Sequence, residues 1–225
     1  MFARFTARAA EFPGLFDDYV PHGGTAIRIN LNEFSYKKGN EIFGEKEPAD
    51  YVYQVVSGAV RSYKLLSDGR RQIGAFHLAG DIFGLEIGTD HRFTAEAIVD
   101  TSVRLLKRRS LELAAENDVT VARNLLRMTT NNLRHAEDHM LLLGRKAAPE
   151  KMATFLLDMA QRLSKDDENF DLPMTRADIA DHLGLTIETV SRTLTQFARS
   201  GLIRLLPAGR SIGLCNKMAL RGLDA

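Results

Sequence analysis

The spacing of apolar positions changes twice along the chain. Up to about Arg109 they come in short runs rich in β-branched and aromatic residues: 26–29, 51–56, 73–76 and 103–106. Gly39, Gly58, Gly69, Gly80 and Gly84 punctuate them. Short runs bounded by turn residues predict strands. Ser67-Asp68-Gly69-Arg70 predicts a tight hairpin, since Asp-Gly tolerates the backbone such turns need. The zone reads as a small closed or rolled antiparallel domain.

The period then becomes helical. Glu116-Asn117-Asp118 supplies an N-cap, and no proline interrupts before Pro149. Ala122, Leu126, Thr129, Leu133, Ala136, Met140 and Leu143 alternate at spacings of four and three. That seam pairs with a copy of itself or packs on the β domain, and Leu125, Met128 and Leu141-Leu142 give a second flank. Self-association is the expected use, with Leu126, Leu133, Met140 and Leu143 at the interface.

After Pro149, the stretch 151–164 is amphipathic, with Met152, Phe155, Leu156, Met159 and Leu163 on one side. An acidic loop is expected over 165–171. Thr175 then caps a short helix, 176–183, with Asp178 completing a capping box, and Gly184 ends it. Leu185 plugs the corner and Thr186 caps a second helix that runs to Ser200. On that helix Ile187, Val190, Leu194 and Phe197 are expected to face inward, leaving Glu188, Ser191, Arg192 and Thr195 outside. Arg192 suits guanine, Glu188 suits cytosine, and Ser191 suits a thymine edge. Thr186, Thr189, Thr193 and Arg210 are candidate phosphate contacts. Two apolar runs flanking Pro207-Ala208-Gly209-Arg210 predict a β-hairpin wing, and Asn216 caps a last helix. The whole therefore reads as α+β: a β-roll over 1–115, a long dimerisation helix over 116–145, and a winged helix-turn-helix over 146–225.

Bulk properties narrow the class. Among 225 residues, 44% are hydrophobic and 26% charged, enough apolar material for a core. Net charge is +1, yet from Leu172 onward seven cations face four anions. No run reaches the length of a membrane span and the N-terminus lacks a secretory pattern, so a cytoplasmic protein with no membrane partner is expected. Cys215 is the only cysteine, which excludes an intrachain disulfide and a cysteine-rich metal site. His135 and His139 are spaced like metal ligands but lack a third, so a solvated helix face, and no metal, is expected. Glu11, Glu86 and Glu96 suggest no acid–base pair, and no phosphate loop occurs; the chain reads as a non-enzyme without a cofactor.

With roll, long helix and winged reader in that order, the chain resembles the CRP/FNR family of bacterial transcription regulators over nearly its full length. The stretch 178–192, with its Glu188-x-x-Ser191-Arg192 pattern, is similar to the FixK-like branch. The resemblance implies a homodimer on a TTGAT–four bases–ATCAA palindrome of double-stranded DNA. It implies an activator that touches RNA polymerase, with genes for low-oxygen respiration and nitrogen fixation as targets. It also implies that the amount of protein, rather than a bound ligand, sets activity. The iron–sulfur cysteines of FNR itself are absent. The cyclic-AMP cassette of CRP is altered here to Phe83-Gly84-Leu85-Glu86 and then His91-Arg92-Phe93. Within the same resemblance, His77 is the candidate axial ligand of a haem sensor. The alternative reading is a ligand-gated regulator whose roll binds a cyclic nucleotide or another small effector.

Overall fold

The computed structural model describes residues 32–164, 169–206 and 210–224. The expected strand at 26–29, most of the acidic loop (165–168) and the wing turn at 207–209 lie outside the described residues. The chain divides into two compact units by its internal contacts. One holds residues 32–65 and 74–135, the other 66–73 and 136–224.

The first unit is the β-roll. One sheet has the order β1 (Asn32–Tyr36), β8 (Thr101–Lys107), β3 (Tyr51–Ser57), β6 (Ile82–Phe83). The other has the order β2 (Glu41–Phe43), β7 (Thr94–Ala97), β4 (Ala59–Leu65), β5 (Arg71–Leu78), the first three residues of β5 belonging to the second unit. Alternation along β3 feeds two cores. Tyr53 and Val55 join Phe43, Val60, Phe83, Ala95 and Val103 inside the roll. Val52 joins Ile82, Leu106, Leu111, Ala114, Val121 and Met128 on the outer face, where helices cover the sheet.

Those helices correct the expected boundary. A separate helix, α1 (Arg108–Asn117), precedes the long one, α2 (Val119–Arg145). The break falls at Asp118, which is extended. Its Oδ1 accepts from the Thr120 amide at 2.6 Å, so the long helix does start where its cap was expected. Along α2, Leu126 (68% exposed), Leu133 (60%) and Met140 (66%) stand open while Val121 and Met128 are buried. Leu143 is only half-exposed. His135 and His139 do not form a solvated face. His135 is buried, and the His139 ring stacks on His182 with centroids 4.4 Å apart.

The second unit is built around α3 (Ala148–Leu163), whose Met152, Phe155, Leu156, Met159 and Ala160 are all buried. Glu150 accepts from the Ala147 amide at 2.7 Å and closes its first turn. The second unit continues with α4 (Arg176–Leu183), α5 (Ile187–Arg199) and α6 (Lys217–Asp224). Its sheet has the order β10 (Ile203–Leu205), β11 (Ser211–Leu214), β9 (Asn169–Asp171). The strand β9 corrects the reading of 165–171 as loop. Phe170 is buried and pairs with Ile212, so one apolar residue between two polar ones suffices to add an edge strand.

Candidate nucleic-acid interface

The reader is assembled from two capped helices. Thr175 Oγ1 accepts from the Asp178 amide at 3.2 Å. Asp178 Oδ2 in turn accepts from the Thr175 amide at 2.9 Å and from its hydroxyl at 2.7 Å. This is the capping box expected at the start of α4. Gly184 takes φ 62° and ψ 42°, the left-handed conformation that costs a side-chain-bearing residue about 1–2 kcal/mol. The Leu185 amide then bonds back to the Ala180 carbonyl at 3.0 Å, and the chain turns sharply. Thr186 Oγ1 accepts from the Thr189 amide at 3.2 Å and starts α5.

Lys151 fastens this corner from below. Its ammonium donates to the carbonyls of Leu143 and Leu183, both at 3.1 Å. These lie at the C-terminal ends of α2 and α4, where the helix dipole favours a cation. Burial lowers its pKa from the usual lysine range. Beside it, burial pushes His182 down to about 3 and His139 to about 4, with the charge of Lys151 adding to the effect on His139.

Val190, Leu194 and Phe197 of α5 are buried against α3 and α4, worth roughly 1.5–3 kcal/mol each. Two expected placements differ. Ile187 is 48% exposed and does not pack inward. Thr193 is 4% exposed and donates to the Thr189 carbonyl at 2.8 Å, so its hydroxyl is spent inside the helix and cannot reach a phosphate.

The outer face is as expected. Glu188, Arg192 and Thr195 are exposed and Ser191 half-exposed. Ser191, Arg192, Thr195, Gln196, Arg199 and Ser200 line a shallow open depression along the helix. The Thr186 and Thr189 hydroxyls lie 3.0 Å apart at its N-terminal end. Arg210 is exposed on the wing, its carbonyl accepting from the Leu172 amide at 3.0 Å. The structure adds one residue that sequence reasoning missed. Arg176, first in α4, donates from Nη1 to Ser191 Oγ at 3.2 Å. No periodicity links positions on different helices, so only the α4–α5 packing reveals it.

The roll interior is packed with aromatic rings. His91 is buried and stacks on Phe43 with centroids 3.6 Å apart, and burial lowers its pKa. Phe83 stacks between Tyr53 and His77. A Cβ on Gly84 would stand 2.7 Å from the Tyr53 ring, so that turn already holds an aromatic side chain. Glu86 accepts from the Arg92 amide at 3.1 Å, and the Arg92 side chain points outward. His77 is buried, and its Nε2 hydrogen-bonds with Ser62 Oγ at 2.8 Å.

Comparison with known proteins agrees with this geometry. Residues 150–223 match the family described as Crp-like helix-turn-helix domain, and residues 33–118 the family described as cyclic nucleotide-binding domain. The nitrogen fixation regulation protein FixK of Azorhizobium caulinodans is 46% identical over 194 residues, spanning 84% of this chain and 78% of that protein. FixK of Rhizobium meliloti is 44% identical over 189 residues, 84% of this chain and 85% of that one. The solved structure of FixK2 from Bradyrhizobium japonicum is 64% identical, with a TM-score of 0.84 over 87% of this chain and 98% of that chain. Among the described residues, no helix is long and apolar enough to cross a membrane.

Proposed function

This chain belongs to the FixK-like branch of the CRP/FNR transcription regulators, and we propose that it reads a TTGAT–four bases–ATCAA palindrome as a homodimer in the cytoplasm. The observation that carries the proposal is the open outer face of α5, where Glu188, Ser191 and Arg192 stand together above a buried apolar stripe. Arg192 gives two parallel hydrogen bonds to guanine, Glu188 accepts from the paired cytosine, and Ser191 meets a thymine. Thr186, Thr189 and Arg210 hold phosphates on either side of the groove. The exposed stripe Leu126, Leu133 and Met140, continued by Leu143, pairs with its copy and sets the spacing of the half-sites. The relatives' names support nitrogen fixation genes as targets, and the FixK-like resemblance adds genes for low-oxygen respiration to the proposal. As an activator the protein would also touch RNA polymerase. The altered cassette at Phe83-Gly84-Leu85-Glu86 and His91-Arg92-Phe93 favours control by abundance, as in the FixK-like branch, rather than by a cyclic nucleotide.

A gel shift on the palindrome tests the reading. Arg192→Ala is expected to cost roughly 1–3 kcal/mol, mostly at the guanine position. Equal loss on every sequence, or no loss, would overturn the assignment.

A further inference from the structure

Asp178 and Asp181 stand three residues apart on one face of α4, inside an otherwise basic segment. Like charges so placed repel each other and repel a polyanion. The structure shows what balances them. Arg71 reaches both: Nη2 lies 2.8 Å from Asp178 Oδ1 and 2.8 Å from Asp181 Oδ2, and Nε donates to Asp181 Oδ2 at 2.9 Å. Asp178 is 1% exposed, and its other oxygen is the one that caps α4. A planar guanidinium forking onto two carboxylates fixes direction as well as distance.

Two neighbours of Arg71 extend the contact. Gln72 Nε2 donates to the Asp181 carbonyl at 2.8 Å. His182 Nδ1 donates to the Ile73 carbonyl at 3.1 Å. The hairpin that carries them is braced by its own bonds. The Leu66 amide donates to the Arg70 carbonyl at 2.8 Å, and Arg70 Nε donates to Asp68 Oδ2 at 2.7 Å. A stiff support therefore grips the first helix of the reader along its acidic face. The same helix touches Ser191 through Arg176.

We propose that Arg71 is a positioning residue for DNA reading: by bridging Asp178 and Asp181 it fixes α4, and through it the base-reading face of α5. The proposal rests on α5 being the DNA reader. Arg71 itself touches no base or phosphate in this role.

The test uses the full chain, with Arg71→Ala, Asp181→Ala and the double variant on a palindrome that the parent binds. Arg71→Ala is expected to weaken binding about tenfold and Asp181→Ala by less, since Arg71 keeps Asp178, and the double no more than Arg71→Ala, because the Asp181 carboxylate acts through Arg71. The salt dependence of binding should be unchanged, since no phosphate contact is lost. Arg71→Lys should recover part of the loss, as it keeps the charge without the fork. Parental affinity in Arg71→Ala, additive losses in the double, or a salt slope smaller by about one would overturn the proposal.

Amide hydrogen exchange on the free protein gives a readout independent of DNA. Faster exchange across 176–199 in Arg71→Ala, with α3 unchanged, supports the bridge, and unchanged exchange sinks it. Failure of the parent to bind the palindrome would count against the base-reading assignments while this readout still decides the bridge. If Arg71→Ala does not fold, Asp181→Asn carries the smaller loss expected of Asp181→Ala and the same overturning results.

Discussion

Thr189 and Thr193 sit one turn apart on α5, yet their hydroxyls have different neighbours. Thr189 faces the surface beside Thr186, and Thr193 is buried and bonded to the Thr189 carbonyl. Thr193→Val should therefore leave the salt slope of DNA binding unchanged, where loss of a phosphate contact would reduce it by about one. A titration of affinity against salt decides this, and a reduced slope would restore the hydroxyl to the DNA side. Its burial was legible in the sequence. Thr193 follows Val190 by three residues and precedes Phe197 by four, which puts it in the inward stripe. The exposure of Ile187 was not legible, because periodicity gives the angle about a helix axis and says nothing of where the packing partner ends. Glu188, Ser191 and Arg192 were legible because their spacing alone puts them on the opposite side.

At the scale of elements, α2 carries the clearest consequence. Three large apolar side chains stand at heptad spacing with most of their surface open, and covering each would gain roughly 1.5–3 kcal/mol. Leu133→Asp places a charge in the middle of that stripe. Sedimentation should show monomers, and a parental dimer would mean that the pairing face lies elsewhere. Helix boundaries set by caps were readable in advance: Asp118, Thr175, Gly184 and Thr186 all act where their residue types suggested. α1 and β9 were not. α1 is held by Leu111 and Ala114 against the sheet, and β9 by pairing with β11. Both depend on partners remote in the chain rather than on a local period.

At the scale of the whole molecule, long-range contacts set both stability and response to pH. Arg71 meets Asp178 across 107 positions of sequence, and nothing in the spacing of either segment announces it. The His139–His182 stack has a second consequence. Both rings titrate far below the ordinary histidine value near 6.5, at about 4 and about 3. The folded state therefore stays neutral where the unfolded chain takes up protons, so stability falls as pH drops below about 6.5. Urea midpoints measured from pH 7 to pH 5 should fall, and His139→Phe, which keeps the ring, should flatten that slope. An equal slope in the variant would show that other groups govern it.

The open stripe on α2 also bears on how a genome is searched. A five-base half-site recurs by chance about once per thousand base pairs, whereas two fixed half-sites recur about once per million. A single reader, however well its Arg192 meets guanine, would be diluted over thousands of decoys in a bacterial chromosome. In the proposed dimer, pairing through Leu126, Leu133 and Met140 would square the odds against each decoy, and a few methyl groups far from any base would supply half of the address.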